Sequence, residues 1–491
     1  MNVYFKVYPN YTFVSGPIDY SIIDEATRFK KSGYQHSNAY KIRAWDGYTR
    51  LFNKKKGIFP TGLFERVKRA LKKNFKDIQF TVEDLRNFKK RVPDASEISL
   101  NGITLRKHQV LAANAMLKKK HGVLWAATNS GKTEVAIAVL KALGLNGLFL
   151  VKGKDLVQQS YERFKTRLGG EDVGIISASK WDQRKFTVAS ADTLARRLMP
   201  SRNKSSAKVI GRQKQVQDLL HSVDVIIIDE CHEAASDGLW NTVRYCTASY
   251  RFGLSGTPFK RGDKQDLKLI ALTGDIIYRV SNKEMIEDGI SVPTDIIMVD
   301  VETPIIAGGT EYRDVYDMGI IHNDFRNRII CKLTNKYYKE GKQVVILIKE
   351  IAHGDILNGL LYDYEEGVYI PHEFINGSTH IEKRSEILDD FRKGLFGVLI
   401  SSVILDQGVD IPNIDILVLA GGGSSKIKSL QRIGRGLRLN DGKKNLMVVD
   451  FADRTHRYLA KHSYDRVQSY SSEDCFNIDL VDGVYITEFL T

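Results

Sequence analysis

An α/β fold with two tandem parallel-sheet domains, preceded by a small basic α+β domain, follows from three features of the 491-residue sequence. Short, almost wholly apolar runs recur between amphipathic stretches, which is the pattern of strands buried on both faces and joined by crossover helices. A glycine- and lysine-bearing loop separates one such run from a helical pattern. The first hundred residues lack these runs and carry 20 Lys+Arg against 10 Asp+Glu, a +10 share of a total net charge of +14.

Residues 1–95 are aromatic and basic. Within them, Lys41–Phe52 (KIRAWDGYTRLF) predicts a twisted hairpin with aromatics set among cations. Gly62–Lys76 predicts an amphipathic helix. Its apolar face is Leu63, Val67, Leu71 and Phe75, and its basic stripe is Arg66, Arg69, Lys73 and Lys76. With Lys54, Lys55 and Lys56 nearby, this surface is expected to contact phosphates, and Trp45 to meet bases. Residues 96–280 predict strands at Gly122–Trp125, Gly147–Val151, Val173–Ser177, Phe186–Ala189, Val225–Ile228 and Tyr250–Leu254. A polar insertion between Pro200 and Leu219, with five basic and no acidic residues from Arg202 to Lys214, reads as a surface loop. Residues 281–325 read as a connecting segment. A second alternating block, 326–453, predicts strands at Gln343–Ile348, Tyr369–Ile375, Val398–Ser401, Ile416–Ala420 and Leu446–Phe451. Residues 454–491 read as a helical tail with a short extended end.

Composition narrows the class. Hydrophobic residues make up 43% and charged residues 27%, as in soluble globular proteins. No apolar run approaches the roughly 20 residues needed to span a bilayer, and the N-terminus lacks a secretory h-region. A cytoplasmic protein without a membrane partner is expected. Cys231, Cys246, Cys331 and Cys475 are scattered without a C-x-x-C pair, so free thiols are expected rather than disulfides or a zinc site. A basic module joined to a nucleotide motif points to a polyanionic partner.

The chemistry concentrates in two segments. Ala126–Thr133 (AATNSGKT) lies between a predicted strand and a helix, where backbone N–H groups can wrap phosphates. Thr128, Asn129, Ser130 and Gly131 would form the cradle, Lys132 would neutralise phosphate charge, and the Thr133 hydroxyl would ligate Mg²⁺. Ala126 replaces the first glycine of the usual pattern, which leaves Gly131 to make the turn. The second segment, Asp229-Glu230-Cys231-His232, closes the apolar run Val225–Ile228. In a parallel sheet both segments fall at the carboxyl edge, where ligands bind. Asp229 would hold Mg²⁺ and Glu230 would orient and deprotonate water. ATP and Mg²⁺ are the expected cofactors.

Taken in order, the motifs resemble those of superfamily 2 helicases and translocases over about 350 residues. The resemblance implies two RecA-like domains. Leu105–Gln109 (LRKHQ) is similar to the adenine-reading motif, with Gln109 as the reader. His232 would couple the phosphate side to Ser255-Gly256-Thr257-Pro258, the segment that senses hydrolysis. Lys152 and Gln158 in LFLVKGKDLVQQ, and Thr193 in TVASADT, would touch the nucleic-acid backbone. So would Ser378 and Thr379, with Ser401 and Ser402 of SSVILDQGVDIP. Gly408 and Asp410 would face the nucleotide. Gln431–Arg438 (QRIGRGLR) resembles the arginine-finger motif, with Arg435 and Arg438 stabilising transition-state charge. The arrangement of Trp45-Asp46-Gly47 with Arg50-Leu51-Phe52 resembles phage UvsW-type branch-migration helicases. That likeness implies forked, branched or junction DNA as partner, with RNA within the family's range. It also implies work in phage recombination, repair or replication, in the host cytoplasm. A monomer is the simplest expectation. Two other classes fit parts of the pattern. One is the duplex translocase motor of a larger assembly; the other is a nucleic-acid-binding scaffold with a decayed ATPase, against which the intact Lys132, Asp229, Glu230, Arg435 and Arg438 argue.

Overall fold

The computed structural model describes residues 1–31, 33–199, 207–257, 266–309, 311–363, 367–402, 414–423, 433, 445–473 and 475–484. The chain divides into two compact units, Met1–Val280 and Ser281–Thr491. Among the described residues no helix is long and apolar enough to cross a membrane.

The first unit begins with strands β1 (Asn2–Val7), β2 (Tyr11–Ser15), β3 (Arg28–Lys30), β4 (Tyr48–Arg50), β5 (Ile58–Pro60) and β6 (Gln79–Asp84). Four of them form a sheet in the order β5-β2-β1-β6, with β6 parallel to β1. Period-two alternation turns Val3, Phe5 and Val7 inward, all fully buried. The helix Phe64–Asn74 lays Val67 and Leu71 on this core, as its apolar stripe predicts. Arg66 and Arg69 of its basic stripe are engaged within the unit: Arg66 Nε donates to the Ala26 carbonyl at 2.7 Å, and Arg69 pairs with Asp275 at 2.9 Å.

The core does not stop at residue 95. It runs on into Leu267 and Ala271 of the helix Asp266–Thr273. A Cβ on Gly62 would lie 2.0 Å from the Ile270 carbonyl oxygen, so the turn Thr61–Leu63 approaches this helix as only glycine can.

The hairpin expected within 41–52 does not form. Asn38–Lys41 is helical, and β4 pairs antiparallel with β3, some twenty residues upstream. Tyr48 on β4 gains the cations of that partner, with Arg28 at 4.6 Å and Lys30 at 5.6 Å from its ring centroid. Phe52 belongs to the core, and Trp45 is half-buried with its indole N–H donating to the Tyr48 carbonyl at 2.8 Å.

The larger sheet of this unit contains β7 (His121–Ala126), β8 (Gly147–Val151), β9 (Val173–Ile176), β10 (Trp181–Asp182), β11 (Phe186–Ser190), β12 (Val225–Ile228), β13 (Tyr250–Ser255) and β14 (Ile276–Val280). Their order is β10-β9-β11-β8-β12-β13-β7-β14, parallel except for the β9–β10 pair. Strands such as Val225–Ile228 are buried at every position, which is why they read as unbroken apolar runs. At the amino edge, Arg251 is 2% exposed and holds three carbonyls: Leu272 at 2.8 Å, Cys246 at 2.7 Å and Val243 at 2.9 Å.

The second unit contains β15 (Thr294–Val301), β16 (Val344–Leu347), β17 (Tyr362–Asp363), β18 (Val368–Tyr369), β19 (His372–Ile375), β20 (Val398–Ser401), β21 (Ile416–Val418), β22 (Leu446–Asp453) and β23 (Phe476–Asp482). Its parallel sheet runs β19-β20-β16-β21-β22-β15-β23. The stretch 281–325, expected as a connector, supplies β15, which is hydrogen-bonded on both sides. The extended end of the tail supplies the edge strand β23 beside it. Helix Arg457–Tyr470 returns Arg466 beneath β22, where its Nε meets Asp450 at 2.8 Å and its Nη1 the Gly423 carbonyl at 2.7 Å. Arg326 pairs with Asp453 at 2.8 Å in the same buried layer.

Candidate functional site

Parallel pairing brings β12, β13 and β7 side by side, so the segments that follow them meet at one carboxyl edge. After β7 comes the glycine loop. Asn129 and Gly131 take left-handed φ values of 70° and 76°, a conformation tolerated by Asn and natural to Gly. Successive N–H groups in such a turn make a concavity suited to an anion. The helix Lys132–Leu143 begins there and adds its N-terminal dipole. Lys132 Nζ donates to the Ala126 carbonyl at 3.3 Å. The Ser130 hydroxyl is buried without a hydrogen-bond partner among the described residues. Thr128 and Thr133 are half-buried at the same loop.

Gln109 lies against this loop. Its amide oxygen accepts from the Arg106 N–H at 2.9 Å, and its nitrogen donates to the Ser130 carbonyl at 3.1 Å. A Cβ on Gly131 would meet that nitrogen at 2.1 Å. The side chain expected to read adenine thus holds the loop from behind. His108, which sequence reasoning passed over, shares the task through Nε2 at 3.0 Å from the same carbonyl.

After β12, Glu230 adopts a left-handed φ of 44°, which a non-glycine residue occupies only when its surroundings hold it there. Its Oε2 lies 3.2 Å from His232 Nδ1 and accepts from the Ser255 hydroxyl at 3.3 Å. His232 Nδ1 is 3.0 Å from Ser255 Oγ, which also accepts from the Thr257 N–H at 3.1 Å. The ends of β12 and β13 are thereby joined through one imidazole. Enclosure at the strand end, and the adjacent charge of Glu230, push the Asp229 carboxyl above its ordinary value. Enclosure acts on Glu230 too, but the His232 hydrogen bond and the Lys132 charge outweigh it and hold that carboxyl low. Trp125 fastens the third segment by donating its indole N–H to the Gly256 carbonyl at 2.8 Å.

The residues expected to touch nucleic acid differ in availability. Lys152 follows β8, is exposed, and pairs with Glu233 at 2.8 Å. Gln158 is exposed and bonds Glu162 along its helix at 2.8 Å. Thr193 is buried at 4% exposure, because its helix turns that position inward beneath the Ser190 cap. Ser401 and Ser402 are also buried, and the Ser401 hydroxyl donates to the Ser402 carbonyl at 3.0 Å. Ser378 is exposed and Thr379 half-buried, and both are set by Asn376 in a side-chain-to-backbone turn. Lys54, Lys55 and Lys56 are exposed, with Lys54 Nζ 4.0 Å from the buried Asp24. Gly408, Asp410, Arg435 and Arg438 lie outside the described residues, as does Pro258.

Comparison with known proteins finds two domain matches. Residues 102–260 match the family described as type III restriction enzyme, res subunit, and residues 326–440 match the helicase conserved C-terminal domain. The DNA 3'-5' translocase XPB2 of Sulfurisphaera tokodaii is 25% identical over 383 residues, covering 71% of this chain and 81% of the relative. The ATP-dependent DNA helicase uvsW of Enterobacteria phage T4 is 25% identical over 283 residues, covering 53% of this chain and 55% of the relative. Among solved structures, a fragment of a putative HsdR subunit of a type I restriction enzyme from Vibrio vulnificus YJ016 aligns with a TM-score of 0.57 at 20% identity. That alignment covers 92% of this chain and 83% of the other, and it speaks for the fold alone. With the two domain matches in this order along the chain, each on its own parallel sheet, the protein is a superfamily 2 helicase that resembles the phage UvsW type.

Proposed function

We propose that this protein hydrolyses ATP with Mg²⁺ to move along DNA and to unwind or branch-migrate forked and junction substrates. The observation that carries the reading is the convergence of three segments on one carboxyl edge: the glycine loop, the Asp229–Glu230 pair and Ser255. The loop has the shape and polarity for phosphate, and the unpartnered Ser130 hydroxyl fits an added acceptor or donor. Bound Mg²⁺ would supply charge neutralisation for the phosphates, and Asp229, a carboxyl whose ionisation the protein alone disfavours, fits such a cation. Among the described residues no group of three or more His, Cys, Asp and Glu is set to hold a metal. A site with Thr133 and one carboxylate suits Mg²⁺, which keeps several waters and takes phosphate oxygens. Glu230, oriented by His232 and Ser255, is the base for water. Arg435 and Arg438 are assigned to the transition-state charge on the strength of their motif. Exposed Lys54–Lys56, and Tyr48 flanked by Arg28 and Lys30, support a DNA contact from the first ninety-five residues.

The test is ATP turnover with single-stranded, duplex, forked and four-way DNA and with RNA, alongside displacement of a labelled strand. Turnover should rise with DNA, most on branched forms, and Lys132→Ala should remove nearly all of it while the protein stays folded. A second reading, a duplex translocase within a larger assembly, draws on the match to the res subunit family. It predicts DNA-stimulated turnover without strand displacement or junction movement.

A further inference from the structure

We infer that Tyr312, Tyr458 and His462 form a platform on which an unpaired base of a bound single strand stacks, with Arg457 and Lys461 against its phosphates. Such a site presupposes the DNA motor proposed above and adds to it a contact with bases. Tyr312 opens the helix Tyr312–Tyr316, and the other four residues occupy the first two turns of the helix Arg457–Tyr470. The Tyr312 ring centroid is 6.2 Å from that of Tyr458 and 5.4 Å from that of His462, at interplanar angles of 69° and 67°. Rings that meet so steeply do not cover one another as stacked rings do, and Tyr312 is 41% and Tyr458 36% exposed.

The packing of the two helices does not depend on these rings. Ile306, Val315, Tyr316, Ile320, Ile321 and Leu459 form a buried apolar cluster that already joins them. Tyr316 fastens the shorter helix by donating its hydroxyl to the Gly421 carbonyl at 2.6 Å. His456 Nδ1 accepts from the Tyr458 N–H at 3.2 Å and fixes the start of the longer one. Tyr312 and Tyr458 therefore stand outside the seam on a firm base. Cations border them. Arg457 lies 5.1 Å from the Tyr458 centroid, and Lys461 is exposed one turn further along. Lys349, 4.4 Å from the Tyr316 centroid, is engaged with Glu350 at 3.3 Å, which leaves phosphate to Arg457 and Lys461. The Tyr312 end, with exposed Glu311, Arg313 and Asp314, offers phosphate no net attraction. A base at that end and the backbone beside Arg457 and Lys461 is the arrangement the charges favour.

The platform also has the right place. Lys349 follows β16, Gly421 follows β21 and His456 follows β22, all at the carboxyl edge of the second sheet. Ser378 and Thr379 follow β19 at that edge, and β19 and β22 are four strand spacings apart, roughly 19 Å. A short single strand whose backbone passes Ser378 can reach Tyr312 with a base. Because every base has a π-face, the platform would hold a strand without reading its sequence.

Fluorescence anisotropy of the full chain tests this with two labelled probes, oligothymidylate of about twelve nucleotides and an abasic chain of equal length carrying the same phosphates. The parent should prefer the probe with bases. Tyr312→Ala should lower affinity for oligothymidylate at least about fivefold, the worth of one weakly stacked base, and change the abasic affinity less than about twofold. Stacking elsewhere, as at Trp45, is common to parent and variant and cancels in the comparison. Tyr312→Trp, which keeps a flat ring, should retain the preference. Tyr312→Leu, which keeps apolar bulk without a ring, stands as the test if the alanine variant does not fold. Lys461→Gln should weaken both probes alike and lower the salt slope by about one. A slope equal to the parent's overturns the phosphate assignment. Equal losses on both probes from Tyr312→Ala, or a parent indifferent to bases, overturn the platform. So does an unchanged affinity for oligothymidylate, which would leave the patch to a protein partner. A parent that binds neither probe overturns the functional proposal itself, and the parent alone tells the two failures apart.

Discussion

Replacing Arg251 by methionine should cost the first unit a large part of its stability while leaving its chemistry intact. The guanidinium is 2% exposed and donates to the carbonyls of Val243, Cys246 and Leu272. Val243 ends the helix Asp237–Val243, and Leu272 lies in the last turn of Asp266–Thr273, so one cation stands at two helix carboxyl ends. Methionine fills most of the stem volume but leaves the Cys246 and Leu272 carbonyls without donors, whereas the Val243 carbonyl keeps the Cys246 N–H at 3.1 Å. At about 1–3 kcal/mol for each orphaned group, less what water entry recovers, the loss is about 2–5 kcal/mol. At about 2 °C per kcal/mol for a unit of this size, the melting temperature falls by about 4–10 °C. Urea denaturation followed by tryptophan fluorescence gives the free energy, and Arg251→Lys should fall between the two. Because carbonyls do not titrate, the loss should be the same at pH 3 and pH 7, whereas an ion pair with a carboxylate would weaken in acid. Arg251 is the second residue of β13 and Ser255 ends it, roughly 13 Å away at strand rise, so turnover per folded molecule should match the parent. A loss under about 1 kcal/mol would refute the reasoning that these acceptors depend on Arg251.

Three further outcomes follow from the same contacts. Gly62→Ala places a methyl 2.0 Å from the Ile270 carbonyl oxygen and should destabilise the first unit by about 1–3 kcal/mol, with faster proteolysis near residues 60–65 as the check. Asp229→Asn should raise stability without nucleotide or metal. The folded carboxyl is shifted up, so below the unfolded value the substitution is neutral, and its benefit grows as pH climbs from about 4 toward neutrality. Melting curves across that range would show parent and variant converging in acid. Arg466→Met strands the buried Asp450 and should cost the second unit about 3–5 kcal/mol, while pairing it with Asp450→Leu should restore much of the loss. Denaturation of the single and double variants separates these outcomes.

The inner strands that carry motifs were legible because full burial on two faces leaves runs such as Val225–Ile228 and Val398–Ser401 with no polar residue before the carboxyl edge, while β10, β14, β15 and β23 were not. The glycine loop and the Asp229–His232 tetrapeptide were legible for a related reason: spacing fixes their place at the ends of adjacent strands. What escaped depends on partners distant in sequence. β4 needed β3, and β15 carried no chemical motif to mark it as part of a sheet. Lys152 gave no sign in the sequence that Glu233, eighty-one positions away, pairs with it. Gln109 showed its position but not its partners, since an amide that can face a base can equally brace a loop. Thr193, Ser401 and Ser402 have the side chains for phosphate, yet burial rather than residue type decides whether they can reach one.

The core that passes from β1 through Gly62 into the helix Asp266–Thr273 also decides what counts as a removable piece of this protein. A cut near residue 95 would not release an appendage. It would strip the cover from Leu267, Ala271 and the backbone of Ile270, and give the remaining fragment an adhesive apolar patch. Activity lost on such a cut would report aggregation as readily as any missing contact with DNA. What the first ninety-five residues do is better read from charge reversals at Lys55 and Lys56, which stand in solvent and leave the shared interior whole.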